Sequence, residues 1–136
     1  MKVMSRWGKN VNLNSPLQEY PRMQLQRGSY TNLNGRWEYQ ITDTNQLPYE
    51  HNWKPINVPF PLGSQFSGSD EILLPGKVLW YKKQFSYKPG EYHTYLNFEA
   101  VDQQCIVYLN GIEVGRHIGG YEPFSFDISS IRMHYL

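Results

Sequence analysis

A chain of 136 residues has room for one ordinary core and falls short of the roughly 200 that a (β/α)₈ barrel needs, so chemistry built on such a barrel lies outside it. Its 13 Lys and Arg nearly cancel 12 Asp and Glu, and Lys82-Lys83 is the only adjacent basic pair; this argues against nucleic acid and anionic membranes, where clustered positive charge supplies the affinity. Aromatics at 15% exclude a disordered chain, and a lone Cys105 excludes an internal disulfide or a cysteine-built zinc site.

Residues 1–19 read as an extended, solvated lead-in, with Asn10, Asn12, Asn14, Ser15 and Pro16 and no hydrophobic period. The basic start has no apolar stretch behind it of the kind a signal peptide carries, and no run approaches the ~20 apolar residues of a membrane span. The expectation is a cytoplasmic protein. Asn34-Gly35 then precedes Trp37-Glu38-Tyr39-Gln40-Ile41, where Trp37, Tyr39 and Ile41 share one face: a half-buried strand. Residues 42–54 are polar and turn-rich. Prolines at 59 and 61 make residues 56–61 a sheet-edge or irregular segment, because each removes a ladder donor. A Gly/Ser loop follows, leading to Pro75-Gly76.

Residues 78–87 are predicted as a second strong strand and 92–98 as a third, with Leu96 and Phe98 on one face. Residues 105–109 and 112–115 flank Asn110-Gly111, the strongest short-range signal for a hairpin with a type I′ turn. No helical period survives ten residues without Gly or Pro. Short strands at this spacing predict an all-β, mostly antiparallel sandwich or barrel.

Catalytic signatures are absent. The two interesting acids, Asp102 and Asp127, read as turn or cap aspartates bonded to nearby backbone N–H groups. His51, His93, His117 and His134 have no metal-ligand spacing, Ser64 lacks the second glycine of a nucleophile elbow, and Cys105 sits in an apolar strand as a small core residue. No metal or cofactor is expected. Strand aromatics are explained by packing, whereas Trp53, Phe66 and Tyr121 fall in loops and could stack on sugars.

Five segments in order carry a resemblance: Tyr20-Pro21-Arg22-Met23-Gln24-Leu25; Leu33-Asn34-Gly35-Arg36-Trp37-Glu38-Tyr39; Ile56-Asn57-Val58-Pro59-Phe60-Pro61; Trp80-Tyr81-Lys82-Lys83-Gln84-Phe85; and Ala100-Val101-Asp102 followed by Val107 to Gly111, Val114-Gly115 and His117-Ile118-Gly119-Gly120-Tyr121-Glu122-Pro123-Phe124-Ser125-Phe126-Asp127-Ile128. Together they resemble the N-terminal jelly-roll domain of glycoside hydrolase family 2, the β-galactosidase, β-glucuronidase and β-mannosidase group. The double-glycine loop is similar to the glucuronidase-like branch. The aspartate that large β-galactosidases carry in this loop falls at Gly119, so that role does not transfer.

The resemblance implies a galactose-binding-domain-like β-sandwich over 20–136, called sugar-binding in family descriptions. The acid and nucleophile glutamates would lie in a barrel this chain does not contain. It also implies structural roles for Asn110, Gly111, His117, Gly119, Gly120, Tyr121, Pro123, Phe124 and Asp127, with Tyr121 and Phe124 plugging the sandwich end. The family continues past this point into another apolar strand. Without it a sheet position stands vacant, to be filled by a partner chain, a swapped segment or the N-terminal residues.

The leading expectation is a non-catalytic scaffold of a family 2 β-glycosidase, partnered by its catalytic domains. The alternatives are a free-standing carbohydrate-binding module using Trp53, Phe66 and Tyr121 with Asn52 and Gln65, and a protein-interaction sandwich that forms a homo-oligomer through the vacant edge.

Overall fold

The computed structural model describes residues 4–19, 29–48, 51–87 and 93–131. The segment 20–25 and the last residues, 132–136, lie outside them. Seven strands run antiparallel: β1 (Gly35–Thr42), β2 (Lys54–Val58), β3 (Val78–Lys82), β4 (Tyr95–Phe98), β5 (Gln104–Leu109), β6 (Ile112–Ile118) and β7 (Phe124–Asp127). The described residues hold no α-helix, only 3-10 turns at Gly8–Asn10 and Gln65–Ser67, and none of these crosses a membrane. The all-β, antiparallel expectation is borne out. The chain divides into two compact units, Met1–Phe85 and Ser86–Leu136.

The first unit is built on β1, central in the order β2-β1-β3. Its alternation is the predicted one: Trp37, Tyr39 and Ile41 turn to one face, and Tyr39 is only 3% exposed. Ile56 on β2 pairs with Trp37 and is fully buried, a side chain that contributes about 1.5–3 kcal/mol by leaving water. β2 lies at the edge and stops at Val58, just before Pro59, as a strand with no further donors should. β3 ends at Lys82, so the strand expected over 78–87 is shorter than predicted. Its ladder with β1 closes at the Glu38–Lys82 pair.

Burying Tyr39 brings a hydroxyl into the interior, and the loop after β2 satisfies it. The Tyr39 hydroxyl donates to Glu71, and Ser69 Oγ lies 2.7 Å from the Tyr39 oxygen. Lys54 Nζ donates to the other Glu71 oxygen at 2.8 Å. Ser67, also fully buried, donates to Ser64 O and accepts from Ser69 N–H. The predicted Gly/Ser loop is therefore a hydrogen-bonded strap rather than a solvated connection.

In the second unit β5 and β6 form the predicted hairpin. Asn110 and Gly111 have φ of 52° and 77°, both positive as a type I′ turn demands. The register slips between Val107 and Tyr108, leaving Val114 as the extra residue of a β-bulge. β4 pairs with β7, placing Leu96 opposite Phe126 and Phe98 opposite Phe124. The third predicted strand is shorter than expected, because it begins at Tyr95 and residue 92 lies outside the described set.

An aromatic cluster joins these two ribbons. Phe98 stacks on Phe124 at 4.9 Å, Phe126 meets both rings edge-on, and the His117 ring stacks on Phe124 at 4.1 Å. Phe126 fits because position 115 has no side chain: a β-carbon there would sit 2.1 Å from the ring. Gly115→Ala should lower the unfolding free energy by about 1–3 kcal/mol, since the ring must leave its place. Thermal and urea unfolding would check this, and Phe126→Leu in the same background should recover part of the loss.

Candidate functional site

Strand alternation sets the outer face of the first sheet. Arg36 and Glu38 on β1 turn away from Tyr39, and Glu38 lies in register with Pro55 on one side and Lys82 on the other. Lys82 Nζ is 3.3 Å from Glu38 Oε2 and 4.5 Å above the ring of Trp53, the residue that leads into β2. Where β3 ends, Lys83 Nζ donates to the Arg36 carbonyl at 2.9 Å. The result is an open groove of about 410 Å³, lined by Arg36, Trp37, Glu38, Pro55 and Lys82 and, past the ladder, by Lys83 and Gln84. Of the predicted site residues only Trp53 borders this face, through Lys82.

Phe66 is otherwise engaged. Its ring packs on Phe60 at 5.3 Å and closes over Gly8, and its carbonyl accepts from Asn57 Nδ2. Gln65 is half-buried in the same 3-10 turn, and Asn52 is exposed with φ of 71°. Trp53 and Phe66 thus have separate partners and do not form one stacking platform.

In the second unit the double-glycine loop is held from below. Gly119 N–H donates to Gln103 O at 2.8 Å, and Gly119 adopts φ of +126°, a region that favours glycine. A β-carbon on Gly120 would lie 2.6 Å from Asp102 Oδ1, so the Asp102 carboxylate packs against the loop backbone. Phe124 is half-buried in the aromatic cluster. Tyr121 is not a plug: it is 99% exposed, and this overturns the expectation drawn from the resemblance. The loop turns at Gly119-Gly120 and carries Tyr121 outward, while the rings at 117 and 124 do the packing. Pro123 is exposed.

Asp127 is the cap predicted for it. Its carboxylate accepts from the Ser129 hydroxyl and N–H, and Oδ2 lies 2.8 Å from His93 Nδ1. Ser129 Oγ in turn accepts from Thr94 N–H at 2.7 Å, which ties the start of β4 to the end of β7. The Ser129 hydroxyl first, then its N–H and His93, hold the Asp127 carboxyl down to about 2.

The other shifted carboxyls also go down, Glu71 through Lys54 and Tyr39, and Glu113 through Arg116. Burial pushes the Cys105 thiol up, against the His117 backbone N–H, so the thiolate that a nucleophile requires is disfavoured. No cluster of three metal-ligating side chains occurs among the described residues. The Tyr39–Ser69–Glu71–Lys54 network and the Arg36–Lys83 groove were not predicted. The adjacent lysines at 82 and 83 were the one signal for the groove.

No family model matches the chain. Curated relatives do. Over 111 residues it is 46% identical to the β-galactosidase of Thermoanaerobacter pseudethanolicus, covering 72% of this chain and 14% of that protein. Over 106 residues it is 36% identical to a protein of Formosa agariphila named as a putative beta-glucuronidase, covering 72% and 12%. Among solved structures, Ruminococcus gnavus β-glucuronidase superposes with a TM-score of 0.61 at 24% identity, over 85% of this chain and 20% of that one. The chain is a homologue of the family 2 glycosidases.

The solved structure shares the fold, and with it the β-sandwich class inferred from the motifs. The chain spans about an eighth of the length of these curated relatives.

The depressed Asp127 carboxyl sets an acid limit. A folded value below the unfolded one, about 3.9, gives stability that is fully present above about pH 4 and is lost as pH falls through about 2. Asp127→Asn should flatten the pH dependence of the melting temperature across that window. A series of melts from pH 2 to pH 7 would check this.

Proposed function

We propose that this chain is the N-terminal, non-catalytic β-sandwich domain of a retaining family 2 β-glycosidase. The parent's other domains would be its partners, and the hydrolysis of O-glycosyl bonds would belong to them. The observation that carries this reading is the state of the acids. Glycoside hydrolysis needs a carboxyl kept protonated by a raised pKa, opposite a second carboxylate. Every resolved carboxyl shift here is downward, and Glu71, Glu113 and Asp127 are each tied to a local donor. Glu38 and Asp43 pair with Lys82 and Lys77. These acids perform structural work.

The share of each relative covered supports the same reading, since a segment of about 12–14% of a β-glucuronidase or β-galactosidase is the size of one accessory domain. In the second unit β4, β5, β6 and β7 each pair on one side only among the described residues. Such edges suit covering by further polypeptide, from the parent or from a second copy. Sugar contact, where the domain makes it, is better placed at Trp53 and the exposed Tyr121, with Asn52 near the first, than at Phe66, whose ring is occupied.

The purified 136-residue chain should release no product from nitrophenyl β-glucuronide or β-galactoside above the buffer rate. Turnover that disappears in a Glu→Gln variant of this chain would contradict the assignment.

A further inference from the structure

We propose that the groove at the end of the β1–β3 ladder binds an acidic saccharide, a sugar bearing a single carboxylate or sulfate group. A scaffold role does not require such a site. The groove gathers three cations, Arg36, Lys82 and Lys83, against one carboxylate, Glu38, so two positive charges are in excess within about 410 Å³. That volume falls in the ordinary range for small-molecule sites, roughly 300–1,000 Å³.

The guanidinium of Arg36 joins none of the ion pairs among the described residues. Its strand position is fixed, because its own carbonyl accepts from Lys83 Nζ. That same bond holds the Lys83 ammonium beside the groove with donors to spare. Arg36 near the start of β1 and Lys83 just past β3 stand at the same end of the ladder and suit a carboxylate or sulfate group.

The remaining lining points to a hydroxylated ligand rather than a bare ion. Glu38 offers carboxylate acceptors and Gln84 offers both an acceptor and donors, the set that a ring of hydroxyls uses. Glu38 is solvent-exposed in its pair with Lys82, so little is lost when a ligand reaches its carboxylate. Pro55, in register with Glu38 on the same face, gives an apolar wall. A carboxylate among the cations disfavours polyanions such as nucleic acid.

The test is amide chemical-shift titration of the labelled chain with methyl β-D-glucuronide, methyl β-D-glucoside and sodium sulfate. The glucuronide should move the amides of residues 36–38 and 82–84 saturably and more weakly at high salt. The neutral glucoside and sulfate should each bind about two- to fivefold more weakly, the scale of one exposed charge contact. Arg36→Gln and Lys83→Gln should each weaken the glucuronide by a similar factor, with amide dispersion elsewhere unchanged. Arg36→Lys serves where Arg36→Gln does not fold, and should retain part of the binding. Equal response to the glucoside, a response to sulfate as strong as to the glucuronide, or unaltered binding in the folded variants would overturn the proposal.

Discussion

The buried hydrophobic side chains among the described residues are Tyr39 and Ile56 in the first unit and Leu109 and Ile128 in the second, and these thin cores govern the rest. So few anchors cannot by themselves offset the entropy of ordering some hundred residues. Polar contacts must therefore be built into the places where burial is achieved. Tyr39 is the clearest case. Its ring fills the face of the central strand, and its hydroxyl recruits Ser69 and Glu71 from a loop about thirty residues onward. Burial and the Glu71 charge together raise the Tyr39 pKa, so the hydroxyl stays a donor at any ordinary pH.

The second unit meets the same shortage with ring contacts and a cap. Phe98, Phe124, Phe126 and His117 remain only half-buried, yet each is in van der Waals register with another. The arrangement depends on the missing side chain at Gly115 and on Asp127 holding Ser129 across to Thr94. Several large apolar side chains stay in water, among them Ile72, Leu74, Ile112 and Ile118. The family 2 homology and the acids engaged in local bonds both fit the accessory-domain reading.

Much of the fold was legible because it rests on local rules. The period of two in β1, the Asn110-Gly111 turn and the proline that ends β2 are written in neighbouring residues, and each appears where predicted. The family was legible because five motifs stand in order. What escaped was non-local. Nothing near Ser69 or Glu71 announces that they close over Tyr39, and nothing near Gly115 announces a phenylalanine eleven residues later. The groove escaped for a related reason: Arg36 and Lys83 meet only because β3 ends where it does. The plug role fails for Tyr121 because the loop turns its ring outward.

The central claim is that this sandwich is completed by polypeptide beyond its own core. Hydrogen exchange tests it most directly, comparing β4 and β7 amides in the isolated chain with the same amides in the longer glycosidase we assign it to. The account predicts exchange slower by at least about tenfold in the longer protein, with little change in β1 beneath Tyr39. Identical protection of β4 and β7 in both would contradict it.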